Sequence, residues 1–250
     1  MEKVLEVCVD SFESAREAVC GGATRLELCS NLIIGGTTPS LSLLSLIKHE
    51  TDLSVPVNCL LRPRAGDFLY TDKEFDLMLE DGALLIERGA DALVSGCLTE
   101  EGDLDLKRME QLVELCHKSG RKFTLHRAFD MCRDPFGALE DCKALGVDTI
   151  LTSGQAANCL AGAELIGELI DRADKVEIII GGGVDAEVIR KIRTKFPAAG
   201  SFHMSGKRIV ESGMRYRKDG VSMGLPGFSE YEIWRTDREK ICAARKELFG

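Results

Sequence analysis

Proline is scarce, at 6 of 250 residues, and no low-complexity run interrupts the chain. Without linker-like tracts, a length of 250 residues suits one large globular domain. No apolar stretch reaches the ~18 residues of a membrane span. The first ten residues, MEKVLEVCVD, carry one basic side chain and no apolar signal core. These absences predict a cytoplasmic protein with no membrane partner. Positive charge is also short: the net charge is −9, and no basic stripe interleaved with aromatics offsets it. That excludes nucleic acid as a partner. Paired CxxC motifs are missing too, although there are 10 cysteines, so zinc-ribbon and thioredoxin-type chemistry is excluded. The thiols are expected reduced and mostly buried as small core residues. Cys20, Cys116, Cys142 and Cys242 on helical segments, and Cys59 on the outer face of a strand, are expected to serve packing alone.

What the chain does have is a rhythm. Short apolar runs recur at 4–9, 25–30, 55–62, 91–96, 122–129, 148–154, 176–183 and 201–206, each followed by a segment of helical pattern. Ser11 is placed to cap the first helix, and Asp134-Pro135 to open the fifth. Glycine then closes the segments, at Gly21–Gly22, Gly89 and Gly146. Eight βα units in this length predict an α/β fold, a (β/α)8 TIM barrel forming a single domain over residues 1–250. A doubly wound sheet is the alternative, but a Gly-rich turn after the first strand is missing, where the chain reads CVDSFES. After the eighth strand comes an unusually long segment, about 209–228, and then a C-terminal helix. The segment is too long for a plain connector, which suggests a lid or an assembly element and a homo-oligomer.

The segments LEVCV and LELCS pose a sharper question. In both, leucine and valine alternate with Glu-x-Cys, giving Glu6 and Cys8, then Glu27 and Cys29. Helices cover the outside of a barrel, so the apolar parity faces outward and the polar parity faces the lumen. Asn58, Arg62, Thr124, His126 and His203 share that inward parity. Buried charges need partners, and Arg62, His126 and His203 are the expected partners of Glu6 and Glu27. So many titratable groups in one lumen mark a functional site at the C-terminal mouth. The two cysteines follow their glutamates by the same step and are expected to share one layer.

Arginines and glycines gather at the same mouth. Arg62 and Arg64 lie in RPRAGDF, Arg127 in HRAFD, Gly181, Gly182 and Gly183 after the seventh strand, and Lys207 in SGKR. Glycine turns after strands 7 and 8 are where barrels bind phosphate, so these residues form a candidate anion pocket. Cys8 and Cys29 read either as small lumen-filling residues or as soft-metal ligands, which select Cu(I) or zinc.

The stretches MEKVLEVCVDSFESA, GGATRLELCSNLIIGGTTPS, RPRAGDFLYTDKEF, LTEEGDLD, HRAFDM, LTSG, GGGV and SGMRYR together resemble the CutC family, named for copper homeostasis. The likeness runs to about residue 224. One departure is Ile34, where the family often carries a glutamate before the GG of GGTTPS. The resemblance implies a barrel that binds copper as Cu(I) in the cytosol and contributes to copper tolerance or trafficking, with Cys8 and Cys29 as its candidate ligands. The lumen constellation also fits a second expectation, an enzyme acting on a small anionic or phosphorylated ligand. Glu27 or His126 would then move the proton and the arginines would clamp the anion.

Overall fold

The computed structural model describes residues 3–250 apart from 219, 222, 225 and 226. Eight parallel strands run in chain order: β1 (Val4–Val9), β2 (Arg25–Leu28), β3 (Val57–Leu60), β4 (Ala92–Ser95), β5 (Lys122–Leu125), β6 (Thr149–Thr152), β7 (Glu177–Ile180) and β8 (Ser201–Met204). Each of the first seven is followed by its helix: α1 (Phe12–Cys20), α2 (Leu41–His49), α3 (Asp72–Glu87), α4 (Leu106–Lys118), α5 (Pro135–Leu145), α6 (Ala163–Arg172) and α7 (Ala186–Lys195). β1 pairs with both β2 and β8, which closes the sheet into a barrel and rules out the open doubly wound alternative. The (β/α)8 fold is as expected.

Local chemistry places the helices. The Ser11 hydroxyl accepts from the Ser14 amide at the start of α1, and Asp134 caps α5 with Pro135 at its first position. Thr71 and Glu74 form a reciprocal capping box on α3. Gly146 ends α5 at φ +78, a left-handed conformation that glycine adopts without a Cβ penalty. The outward strand residues Leu5, Val7, Leu26, Leu28, Phe123, Leu125 and Phe202 are fully buried against the helices.

Between β8 and the last helix, α8 (Arg238–Phe249), the chain forms an antiparallel hairpin, β9 (Lys207–Glu211) and β10 (Glu232–Thr236). The 209–228 segment therefore begins as the end of β9, and four of its positions lie outside the described residues. The hairpin stands at the mouth beside α1: Thr236 donates its amide to the Ser14 hydroxyl, and Arg235 donates to Ser11. Among the described residues no helix is long and apolar enough to cross a membrane.

The β6–α6 loop depends on two backbones in contact. A Cβ on Gly154 or on Gly162 would collide with the other's main chain, and Gly154 also sits at φ +70. Gly162→Ala is expected to cost about 1–3 kcal/mol through overpacking, and Gly154→Ala more, because strain of about 1–3 kcal/mol is added. Urea unfolding midpoints of the two variants check the order.

Candidate metal centre

The lumen groups meet around β1, β2 and β8. The register places Cys8 beside Glu27 and Glu6 beside both Arg25 and His203. Arg25 donates Nε to Glu6 at 2.6 Å, Asn58 donates to the same carboxylate at 3.1 Å, and His203 Nδ1 lies 2.8 Å from its other oxygen. Burial alone would raise the Glu6 pKa, but Arg25 and His203 together outweigh it and hold the carboxyl at about 2. Glu6 is therefore ionised and fixes the imidazole with Nε2 turned away, 3.9 Å from Glu27 Oε2.

Cys8 Sγ, a Glu27 oxygen and a His203 ring nitrogen all lie within 4.8 Å of one another. Burial raises the Glu27 carboxyl above its usual range, and the neighbouring Glu6 adds to this against the pull of His203. Burial also opposes the charged form of His203, but Glu27, Cys8 and Glu6 push its pKa well above 6.5. The Cys29 thiol donates to Glu27 Oε2 at 3.3 Å, and burial with that carboxylate drives its pKa well up. Cys8 is the accessible sulfur: it is 8% exposed against 0% for Cys29. It forms part of the floor of a cleft of about 600 Å3 between the β1 and β2 loops and the hairpin, with Leu32, Lys207 and Trp234 among its walls.

The expected residues thus divide. Glu6, Glu27, Cys8 and His203 converge, with Cys29 next to Glu27. The shared layer for the two cysteines does not hold, because β2 is staggered so that Cys8 stands opposite Glu27 and Cys29 lies one inward position further along. Nor does Arg62 pair with either glutamate. It gives its guanidinium to the carbonyls of Gly35, Gly36 and Gly66, clamping two loops, and lies against the Phe68 ring. Arg25 takes the glutamate instead. It also shares the inward parity, two residues before Glu27, and that position was the signal for it.

His126 is buried against Phe68, and its Nδ1 accepts from the Ala128 amide while Nε2 has no partner among the described residues. Burial first and Arg62 second hold its pKa at about 3, so it is a neutral base that stays neutral. The anion residues are spread out. Arg64 is tied to Glu74 and Asp67, and Lys207 sits over the Trp234 ring. Arg127 approaches the glycine turn: it binds Asp130 and Ser153, and a Cβ on Gly182 would lie 3.8 Å from its Cζ. Eight cysteines are buried as expected, but Cys20 and Cys242 are exposed, so packing does not account for them.

His126 carries a pH prediction. Its unfolded pKa is 6.5 and its folded pKa about 3, so stability is complete above 6.5 and falls as pH drops through that window. The full effect is on the order of several kcal/mol. Stability against urea at pH 7.5, 6 and 5 should decline more steeply in the wild type than in His126→Gln. Parallel curves for the two proteins would contradict the assignment.

Comparison with known proteins gives a consistent result. The sequence matches the CutC family over residues 3–207. It is 45% identical to a CutC family protein of Parabacteroides distasonis, covering 97% of this chain and 99% of the relative. It is 43% identical to the mouse copper homeostasis protein cutC homolog, covering 95% of this chain and 86% of the relative. The crystal structure of CutC from Streptococcus agalactiae superposes with a TM-score of 0.75 at 30% identity, covering 81% of this chain and 98% of that one. On these grounds the chain belongs to the CutC family.

Proposed function

We propose that this protein binds Cu(I) at the mouth of the barrel, with the Cys8 thiolate and His203 Nε2 as the principal donors. One observation carries the reading: Cys8, Glu27 and His203 present their donor atoms within 4.8 Å of one another, and Cys8 lines the mouth cleft. A thiolate selects a soft ion, and an imidazole suits copper. The Glu6–His203 contact supports it further, because ligating histidines commonly give their second ring nitrogen to a carboxylate that sets their orientation. Glu27 stands beside Cys8 and accepts the thiol proton of Cys29, which offers a second thiol behind Cys8, while the Cys8 thiol donates to the Met204 carbonyl. Copper here is cargo, entering through the cleft, and the copper homeostasis named for the mammalian relatives fits that role.

Anaerobic competition of the purified protein against a chromophoric Cu(I) chelator tests the proposal. One equivalent is expected to bind. Its apparent affinity should rise with pH by up to about tenfold per unit for each proton displaced from Cys8 or His203. Affinity that is flat from pH 6 to 8 would place the copper elsewhere.

A further inference from the structure

The opposite end of the barrel has a cleft of its own. Barrels ordinarily fill this end with branched apolar side chains. Here the innermost residues of the strand starts include Arg25, Asn58, Lys122, Thr149 and Glu177, and they leave a cleft of about 480 Å3. That volume falls within the range of small-molecule sites, about 300–1,000 Å3.

The charges around it do not cancel. Its carboxylates are both engaged. Asp91 bridges to Lys48 and Arg121 and accepts the Val57 amide. Glu177 takes Arg25 Nη1 at 3.1 Å, the Thr149 hydroxyl at 3.1 Å and the Ser201 hydroxyl at 2.6 Å. Lys3 and Lys122 line the same cleft, and neither has an ion-pair partner among the described residues. Arg25 Nη2 is buried with no acceptor among the described residues, while Nε and Nη1 of that guanidinium donate to Glu6 and Glu177. A buried donor without a partner costs about 1–3 kcal/mol, more on a charged group, and that cost is relieved by an acceptor from outside.

We propose that this cleft binds a small organic dianion, a phosphate monoester or a dicarboxylate, between Lys3, Lys122 and Nη2 of Arg25. In a chain of net charge −9 the site is a local inversion of sign, and low-dielectric walls focus such a field on an incoming anion. The volume exceeds what bare phosphate needs, which favours an anion carried on a small carbon body. The proposal goes beyond the copper reading and does not depend on it, since the Cys8 group faces the other end of the barrel.

The test is amide chemical-shift titration of the full chain with glycerol 1-phosphate and, separately, with succinate, at constant ionic strength. Saturable shifts are expected at Thr124 and Thr149, with none at Asn31 and Ser205 in the mouth cleft. The stronger of the two probes identifies the headgroup. The Lys3→Gln, Lys122→Gln double variant changes side chains outside the core and should fold. It is expected to weaken binding about tenfold or more, as loss of two charge-assisted contacts implies. Cys8→Ser should leave this binding unchanged even where it abolishes copper binding. The proposal is overturned if the response is linear and equal to that of chloride, if the double variant binds as wild type, or if the shifts fall at the mouth.

Discussion

Cys8→Ser is expected to lower Cu(I) affinity by about 100-fold or more, because it removes the soft donor, whereas Cys29→Ser should cost about tenfold or less, the range of an outer partner. The asymmetry follows from the stagger of β2. A direct strand neighbour of Cys8 on the lumen side is Glu27, so the donors already gathered are one sulfur, one carboxylate and one imidazole. Cys29 is fully buried and spends its thiol proton on Glu27. In the proposed site it would act on copper through that carboxylate or by a change of rotamer. His203→Ala belongs with Cys8→Ser, and Glu27→Gln with Cys29→Ser. The four variants are read by the same chelator competition at one pH. Equal losses for Cys8→Ser and Cys29→Ser would show a two-sulfur site and defeat the Cys8–His203 assignment.

How far the sequence foretold this depends on which interaction decides each feature. Helix boundaries were legible because caps are local: Ser11, the Asp134-Pro135 pair and Gly146 act within a few residues of themselves. Lumen parity was legible for the same kind of reason, since alternation along one strand needs no knowledge of its neighbours. Register was not legible. The stagger between β1 and β2 is fixed by closure of all eight strands, and equal Glu-x-Cys spacing in two strands therefore does not put two cysteines side by side. The hairpin was missed because its strands, KRIVE and EIWRT, are separated by twenty residues and have no short turn signal between them. Family likeness shares that limit, as the match to the family ends at residue 207, where β9 begins.

Arg25 matters to the largest expected loss of stability. Glu6 is 1% exposed and receives Arg25, Asn58 and His203 together. Glu6→Gln keeps the shape but leaves Arg25 with Glu177 as its one carboxylate partner and the His203 cation with its direct carboxylate contact removed. Removing one member of a buried ion pair costs about 3–5 kcal/mol, which for a chain of this size lowers the melting temperature by roughly 6–20 °C. The sign with pH is fixed as well. Glu6 titrates near 2 when folded against 4.5 when unfolded, so its contribution is present above pH 4.5 and is lost as pH falls toward 2. The penalty of Glu6→Gln should therefore be largest near neutrality and shrink in acid. Removing both partners separates charge pairing from packing. Glu6→Gln with Arg25→Met leaves no stranded guanidinium, so the double variant is expected to lose clearly less than the sum of the two single changes. Additive losses in urea unfolding would mean that Arg25 and Glu6 do not stabilise one another, and the polar lumen would then rest on Glu177 and Asn58 instead.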